Sequence, residues 1–312
     1  MMAASWSFSG ITAVAACAAM AVLYVAILYS PTLLLRLPPP TSIESFMLRR
    51  FACAVVSSLI SLVFSSFLLG VGDFKELPVI LNVYGIRSDH AWQAVAFPLL
   101  LTGLLYTGSF VSRVLLFIHA WKGSRDGLSF GACLCGIVER CIHGARSSAS
   151  DVLNWRNYVV APITEELVFR ACMIPLLLCG GLTAYSITFF SPIFFSLAHL
   201  NHFLELYYQQ RYNFWKAFLI VGNQLGYTII FGWYASFLFI RTGNVVAPIV
   251  AHIFCNMMGL PVFSSARGKG IVAFSFAVGV VGFFKLLFPA TRPDLFNDKT
   301  DDCSCWHGYC NW

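Results

Sequence analysis

Uncharged stretches long enough to cross a bilayer recur along the whole chain, and no other feature restricts the fold as tightly. A spanning helix needs about 20 predominantly apolar residues. Residues 1–35 carry no charge and predict a first span near 11–34; a second lies between Arg50 and Asp73, and a third between His90 and Arg113. Apolar character resumes at about 158 and runs to Leu204, broken by Glu165, Glu166 and Arg170. The Gly180-Gly181 pair is expected to divide that stretch into two helices. Further spans are expected at 217–240, 244–263 and 270–288, which makes about eight. Residues 205–216, with Tyr207, Tyr208, Tyr212 and Trp215, read as an interfacial loop or short turn at headgroup depth.

Composition explains why the solvent must be lipid. The chain is 58% hydrophobic and 11% charged over 312 residues, whereas soluble domains run near 25% charged. A soluble fold of this length would leave about a quarter of its unfolded surface exposed, too much for so apolar a chain. The expected fold is therefore an all-α, polytopic membrane helix bundle. It reads as a single membrane domain over 1–312, with a motif-bearing core at about 150–265 and a polar tail at about 289–312. The first apolar run is long, lacks a basic leader and is followed by further spans, so it reads as a span rather than a cleaved secretory signal.

The net charge of +6 comes from basic residues in short loops. That distribution suits a positive-inside bias and contact with anionic lipid. No aromatic-basic array of the nucleic-acid-binding kind is present, so a nucleic-acid partner is not expected. Loops 36–50 and 113–156 are the basic ones and fall on one side in this count, which the charge rule assigns to the cytosol. Of the 11 cysteines, Cys17, Cys53, Cys172, Cys179 and Cys255 stand singly in apolar runs, where they act as small hydrophobes, and nothing reads as a disulfide framework. Cys303, Cys305, His307 and Cys310 lie in the polar tail. They admit zinc binding or palmitoylation, but the simpler reading is a disordered tail, which carries no CAAX box of its own.

Ionisable groups inside spans cost several kcal/mol each and mark functional candidates. The densest set is Pro162-Ile163-Thr164-Glu165-Glu166-Leu167-Val168-Phe169-Arg170. Pro162 fits a first helical turn. Adjacent carboxylates point about 100° apart on a helix, and Glu166 and Arg170, four apart, share a face and can pair. Glu165 is then left free to face a cavity. A carboxylate without a counter-ion in a low-dielectric site is well suited to general-base work. The alternative is a Glu–Arg clamp between helices with no chemistry. His199, in Phe195-Ser196-Leu197-Ala198-His199, is either a satisfied core histidine or a catalytic one; His202 is accounted for by the interface. His252 and Asn256 stack on one helical face. They can cross-link helices, or supply N–H donors to a developing oxyanion. Together the three clusters hold the parts that a hydrolysis site requires.

Two other patterns carry no weight. Gly127-Leu128-Ser129-Phe130-Gly131 matches a nucleophile elbow, but no strand precedes it. None of the seven histidines is followed by Glu, so the metalloprotease HExxH motif is missing.

The Glu-Glu-x-x-x-Arg motif at 165–170, Phe-x-x-x-His at 195–199 and His-x-x-x-Asn at 252–256 resemble, in order, the three signature motifs of the CAAX protease and bacteriocin-processing superfamily. The stretch Arg156–Arg170 is similar to its eukaryotic branch, the type II CAAX prenyl endopeptidases. The resemblance covers roughly residues 150–260. It implies a multi-pass enzyme of the endoplasmic reticulum membrane that removes the last three residues from farnesylated or geranylgeranylated CAAX proteins, such as small GTPases. It implies that Glu165 and His199 activate water, that His252 and Asn256 stabilise the oxyanion, and that Glu166 and Arg170 support the geometry. No cofactor or metal is expected, although Glu165, His199 and His252 are residue types that can bind zinc. The rival readings are a proton- or cation-coupled transporter, for which no internal repeat is found, and an inert scaffold, for which no motif residue is missing.

Overall fold

The structure, a computed structural model, describes residues 9–70, 77–123, 149–265 and 268–296, together with Gly131, Cys135, Gly136, Glu139, Arg146 and Ser147. The tail cysteines and residues 127–130 of the nucleophile-elbow match lie outside the described residues. Every regular element among them is helical. In chain order these are α1 (Gly10–Leu33), α2 (Ile43–Leu69), α3 (Leu77–Val83), α4 (Ala91–Leu105) and α5 (Thr107–Gly123). A continuous helical run over 152–179, here α6, is followed by α7 (Ala184–Ala198) and by a short run over 201–209, α8. Then come α9 (Phe214–Thr242), α10 (Val246–Met258) and α11 (Lys269–Leu287).

The boundaries follow local chemistry. Ser42 opens α2 with a reciprocal Ser42–Ser45 capping box, and Gly70 closes it in the left-handed conformation. Thr183 caps α7 by accepting from Ser186 N at 3.3 Å. The Gly180-Gly181 pair separates α6 from α7, as the sequence predicts. The expected third span is instead two helices, α4 and α5, which meet at Tyr106 with a bend of 69° between Ala91–Leu105 and Thr107–His119. Residues 205–209 continue the helical run begun at Asn201, so the expected interfacial loop shrinks to 210–213.

Among the described residues four helices are long and apolar enough to cross a membrane: Gly10–Thr32, Ile43–Leu69, Ala184–Tyr208 and Lys269–Leu287. The bent α4–α5 pair raises this to at most five. The expected count of about eight included α6, α9 and α10. Here α10 is only 13 residues long, and α9 is made less apolar by Asn223, Gln224 and its Tyr and Trp residues. Helices that face protein rather than lipid need neither full length nor uniform apolarity.

The centre of the bundle is the second half of α6. Residues 168–178 are all buried, beneath α1, α2 and α7. A helix apolar on every side belongs in such a core. The outward faces are apolar too: Phe67 on α2, Phe190 on α7 and Phe274 on α11 are each more than 60% exposed. Continuous apolar surface of this extent requires lipid around it. The chain is a multi-pass membrane protein.

Candidate active site

The site is built on irregularities of α6. Asp151 caps its start, so Pro162 falls inside the run rather than in its first turn. The helix accommodates the proline by widening. Residues 156–160 form a π-type turn, in which Ala161 N–H bonds to Arg156 O rather than to Asn157 O. In that wider register the next donor would come from residue 162, and proline has none. The carbonyl of Asn157 is thereby stripped of its backbone partner. Asn256 Nδ2 donates to it at 2.8 Å, tying α10 to α6.

One turn later the two glutamates diverge as their spacing requires. Glu166 is fully buried. Its Oε1 accepts from Arg170 Nη1 at 3.1 Å and from His252 Nδ1 at 2.7 Å. Arg170 is also buried, with its guanidinium 4.6 Å from the ring centroid of Phe195 and 5.8 Å from that of Phe231. Low dielectric strengthens each of these contacts and would penalise either charge left alone. Glu165 turns away from this cluster. Its side chain keeps 17% of its surface exposed, and Oε2 lies 3.9 Å from His252 Nε2, beyond hydrogen-bond length.

His199 sits where α7 ends. Its backbone N–H bonds to Ser196 O, which leaves Phe195 O without a helical donor. The imidazole of His199 fills that place, with Nδ1 2.9 Å from Phe195 O. A carbonyl only accepts, so Nδ1 carries the proton, and in its neutral form the ring presents the Nε2 lone pair. The same Phe195 also stacks its ring against Arg170, so one residue positions members of both clusters.

Glu165 and His199 line one cavity of about 90 Å³, together with Tyr24, Arg50, Arg156 and Phe169. His252 lies behind Glu165, and neither it nor Asn256 contributes to that wall. The cavity shares Val25, Ala198 and Asn201 with an apolar groove of about 700 Å³ between α1 and α7–α8. Among the described residues no group of three His, Cys, Asp or Glu side chains is placed so as to hold a metal ion.

Sequence reasoning missed several residues here. Tyr24, a single hydroxyl in the first span, bonds to Thr164 Oγ1 at 3.1 Å and fixes α1 beside the glutamates. Glu205 pairs with Arg50 and sits 3.2 Å from His202 Nδ1, and His202 lines the cavity rather than serving only as an interfacial residue. The available signal was the presence of charges at the ends of otherwise apolar helices.

Comparison with known proteins completes the picture. Residues 151–258, which carry every residue of both clusters, match the family described as type II CAAX prenyl endopeptidase, Rce1-like. A CAAX prenyl protease 2 from Arabidopsis thaliana is 54% identical over 98% of this chain and 98% of its own length. The chain belongs to the Rce1-like type II CAAX prenyl endopeptidase family. CAAX prenyl protease 2 from Homo sapiens is 36% identical over 70% of this chain and 63% of the relative. The Caenorhabditis elegans protein of that name is 30% identical over 77% of this chain and 84% of the relative. No solved structure matches.

Proposed function

We propose that this Rce1-like protein is an endopeptidase that removes the C-terminal tripeptide from prenylated CAAX proteins, small GTPases among them, in the membrane of the endoplasmic reticulum. The observation that carries this reading is the junction of a small cavity holding Glu165 and His199 with a large apolar groove. A prenylated C-terminus has the same two parts: a peptide that must meet water, and a hydrocarbon chain that gains about 0.8 kcal/mol per buried methylene.

In this mechanism a water molecule rests between Glu165 and the Nε2 lone pair of His199. Glu165 accepts its proton while the hydroxide attacks the carbonyl carbon of the prenylated cysteine. Negative charge gathers on the carbonyl oxygen, which must reach past Glu165, beyond the cavity wall, to accept from Nε2–H of His252 and the second N–H of Asn256. Since His252 Nδ1–H is committed to Glu166, donation from Nε2 requires the imidazolium form, flanked by Glu165 and Glu166. The intermediate collapses with cleavage of the C–N bond, and the proton held by Glu165 passes to the departing amine of the tripeptide. Glu166 and Arg170 orient His252 without touching substrate.

The test is cleavage of a farnesylated CAAX peptide by purified protein in liposomes, for wild type and Glu165→Ala, with and without a zinc chelator. Tripeptide release by wild type, its loss in the variant and indifference to chelator are expected. Chelator-sensitive release replaces the proposed water activation by a metal-bound water. No release by folded wild type overturns the substrate assignment.

A further inference from the structure

Two guanidinium groups face the catalytic cavity, and they differ in one respect. Arg50, on α2, is paired with Glu205. Arg156, on the π-type turn of α6, forms no ion pair among the described residues, although it lines the same wall as Glu165 and His199. The nearest acid preceding it in sequence is otherwise engaged. Asp151 Oδ1 accepts from Leu153 N at 2.9 Å and Oδ2 from Asn154 Nδ2 at 3.1 Å. A half-buried cation with no counter-ion among the described residues is costly in a membrane protein, and an anion from outside would offset that cost.

Resting on the reading above, we propose that Arg156 receives the α-carboxylate of the substrate's last residue and so fixes which peptide bond reaches Glu165. A CAAX tail carries one free carboxylate, three residues beyond the scissile bond. Extended chain spans at most about 3.3–3.6 Å per residue, so the two ends of that tripeptide lie ~10 Å apart. Arg156 precedes Glu165 by nine residues on one helical run. At about 1.5 Å of rise per residue their Cα atoms are ~13 Å apart, a separation of the same order. The planar guanidinium matches a carboxylate with two parallel hydrogen bonds, which fixes direction as well as position. A base and a carboxylate anchor carried on one helix at that separation would measure off a tripeptide. The site then acts as an endopeptidase at a set distance from the terminus.

The experiment compares two farnesylated CAAX peptides, one ending in a free carboxylate and one in a carboxamide. Wild type, Arg156→Gln and Arg156→Lys are assayed in liposomes. Wild type should favour the acid by roughly 10- to 100-fold in kcat/KM, mainly through KM, as expected for a charge-assisted hydrogen bond. Arg156→Gln should collapse that acid-to-amide ratio toward about one, and Arg156→Lys should recover part of it. Should Arg156→Gln fail to fold, as judged by thermal unfolding in detergent, an intermediate ratio in Arg156→Lys supports the proposal and an unchanged ratio overturns it. A ratio preserved in a folded Arg156→Gln overturns it as well, even if overall activity falls, because Arg156 is then structural. Equal cleavage of both peptides by wild type also overturns it while leaving the endopeptidase reading intact. Cleavage of neither peptide removes that reading and this proposal with it.

Discussion

His252 donates from Nδ1 to Oε1 of Glu166 at 2.7 Å, across 86 residues of sequence, and the same oxygen accepts from Arg170. One buried carboxylate therefore holds an imidazole on α10 and a guanidinium on its own helix. Breaking a buried ion pair by removing one partner costs about 3–5 kcal/mol, while replacing both partners by apolar groups is often neutral. Glu166→Gln should accordingly lower Tm in detergent by several degrees and abolish most turnover. Glu166→Leu with Arg170→Met should recover much of the Tm and none of the activity, because His252 loses its orienting acceptor. Recovery of both would mean that the cluster is only packing.

Glu165 is placed differently, and its substitution should separate chemistry from folding. It has no hydrogen bond within normal length to His252 and is partly exposed. Glu165→Gln should change Tm by no more than a few degrees. It should lower kcat by roughly 10²–10⁴-fold with KM little altered, as loss of a general base requires. Kinetics on the farnesylated peptide beside a melting curve check both halves, and near-normal kcat would remove Glu165 from the mechanism.

These residues also show what could be read from the sequence. The Glu166–Arg170 pair and the free azimuth of Glu165 follow from helical spacing alone, and the structure places Arg170 Nη1 3.1 Å from Glu166 Oε1. The helical fold and the break at Gly180-Gly181 were likewise legible, since composition and local backbone preference dictate them. The partner of Asn256 was not. It depends on a π-type turn that exists because Pro162 lacks an N–H, and so on a backbone register that no side-chain pattern records. Of the expected spans, length and hydropathy mark four among the described residues, or five with the bent pair, because an apolar run does not say whether its neighbours are lipid or protein.

Asn256 holds two helices together through one N–H and has a second to offer. Asn256→Ala should cost about 1 kcal/mol of stability, the ordinary net worth of a hydrogen bond. It should also lower kcat by roughly 10²-fold, as removal of an oxyanion donor does elsewhere. A stability loss with unchanged kcat would confine Asn256 to tethering α10 to α6. Unfolding and single-turnover measurements on one preparation separate the two effects.

Gly232 lets α9 pack closely against α7 beside Arg170. A Cβ added there would lie 2.5 Å from Pro192 Cβ and 3.3 Å from Arg170 Nη2. The proline ring cannot rotate away, so α7 and α9 must separate. Gly232→Val should destabilise the protein by about 1–3 kcal/mol through overpacking. It should also lower activity, because α7 carries both Phe195, which covers Arg170, and His199 at its end. Wild-type Tm and turnover in this variant would show that the α7–α9 contact does not position the site.

The groove beside the cavity makes a prediction about substrate length. It is lined by small and apolar residues of α1, among them Ala18, Ala21 and Ala26, facing Phe194, Leu197 and Leu200. A geranylgeranyl chain is one isoprene unit longer than a farnesyl chain, and each methylene buried contributes about 0.8 kcal/mol. Replacing Ala18 by Phe fills part of the groove without touching Glu165, His199 or the Glu166 cluster. The variant should raise KM for a geranylgeranylated peptide by roughly tenfold or more, and for a farnesylated one by less, with kcat for both near wild type. Matched kinetics on the two peptides decide the matter. Equal effects on both chains, or none, would place the prenyl group elsewhere on the lipid-facing surface and leave the groove to a bilayer lipid.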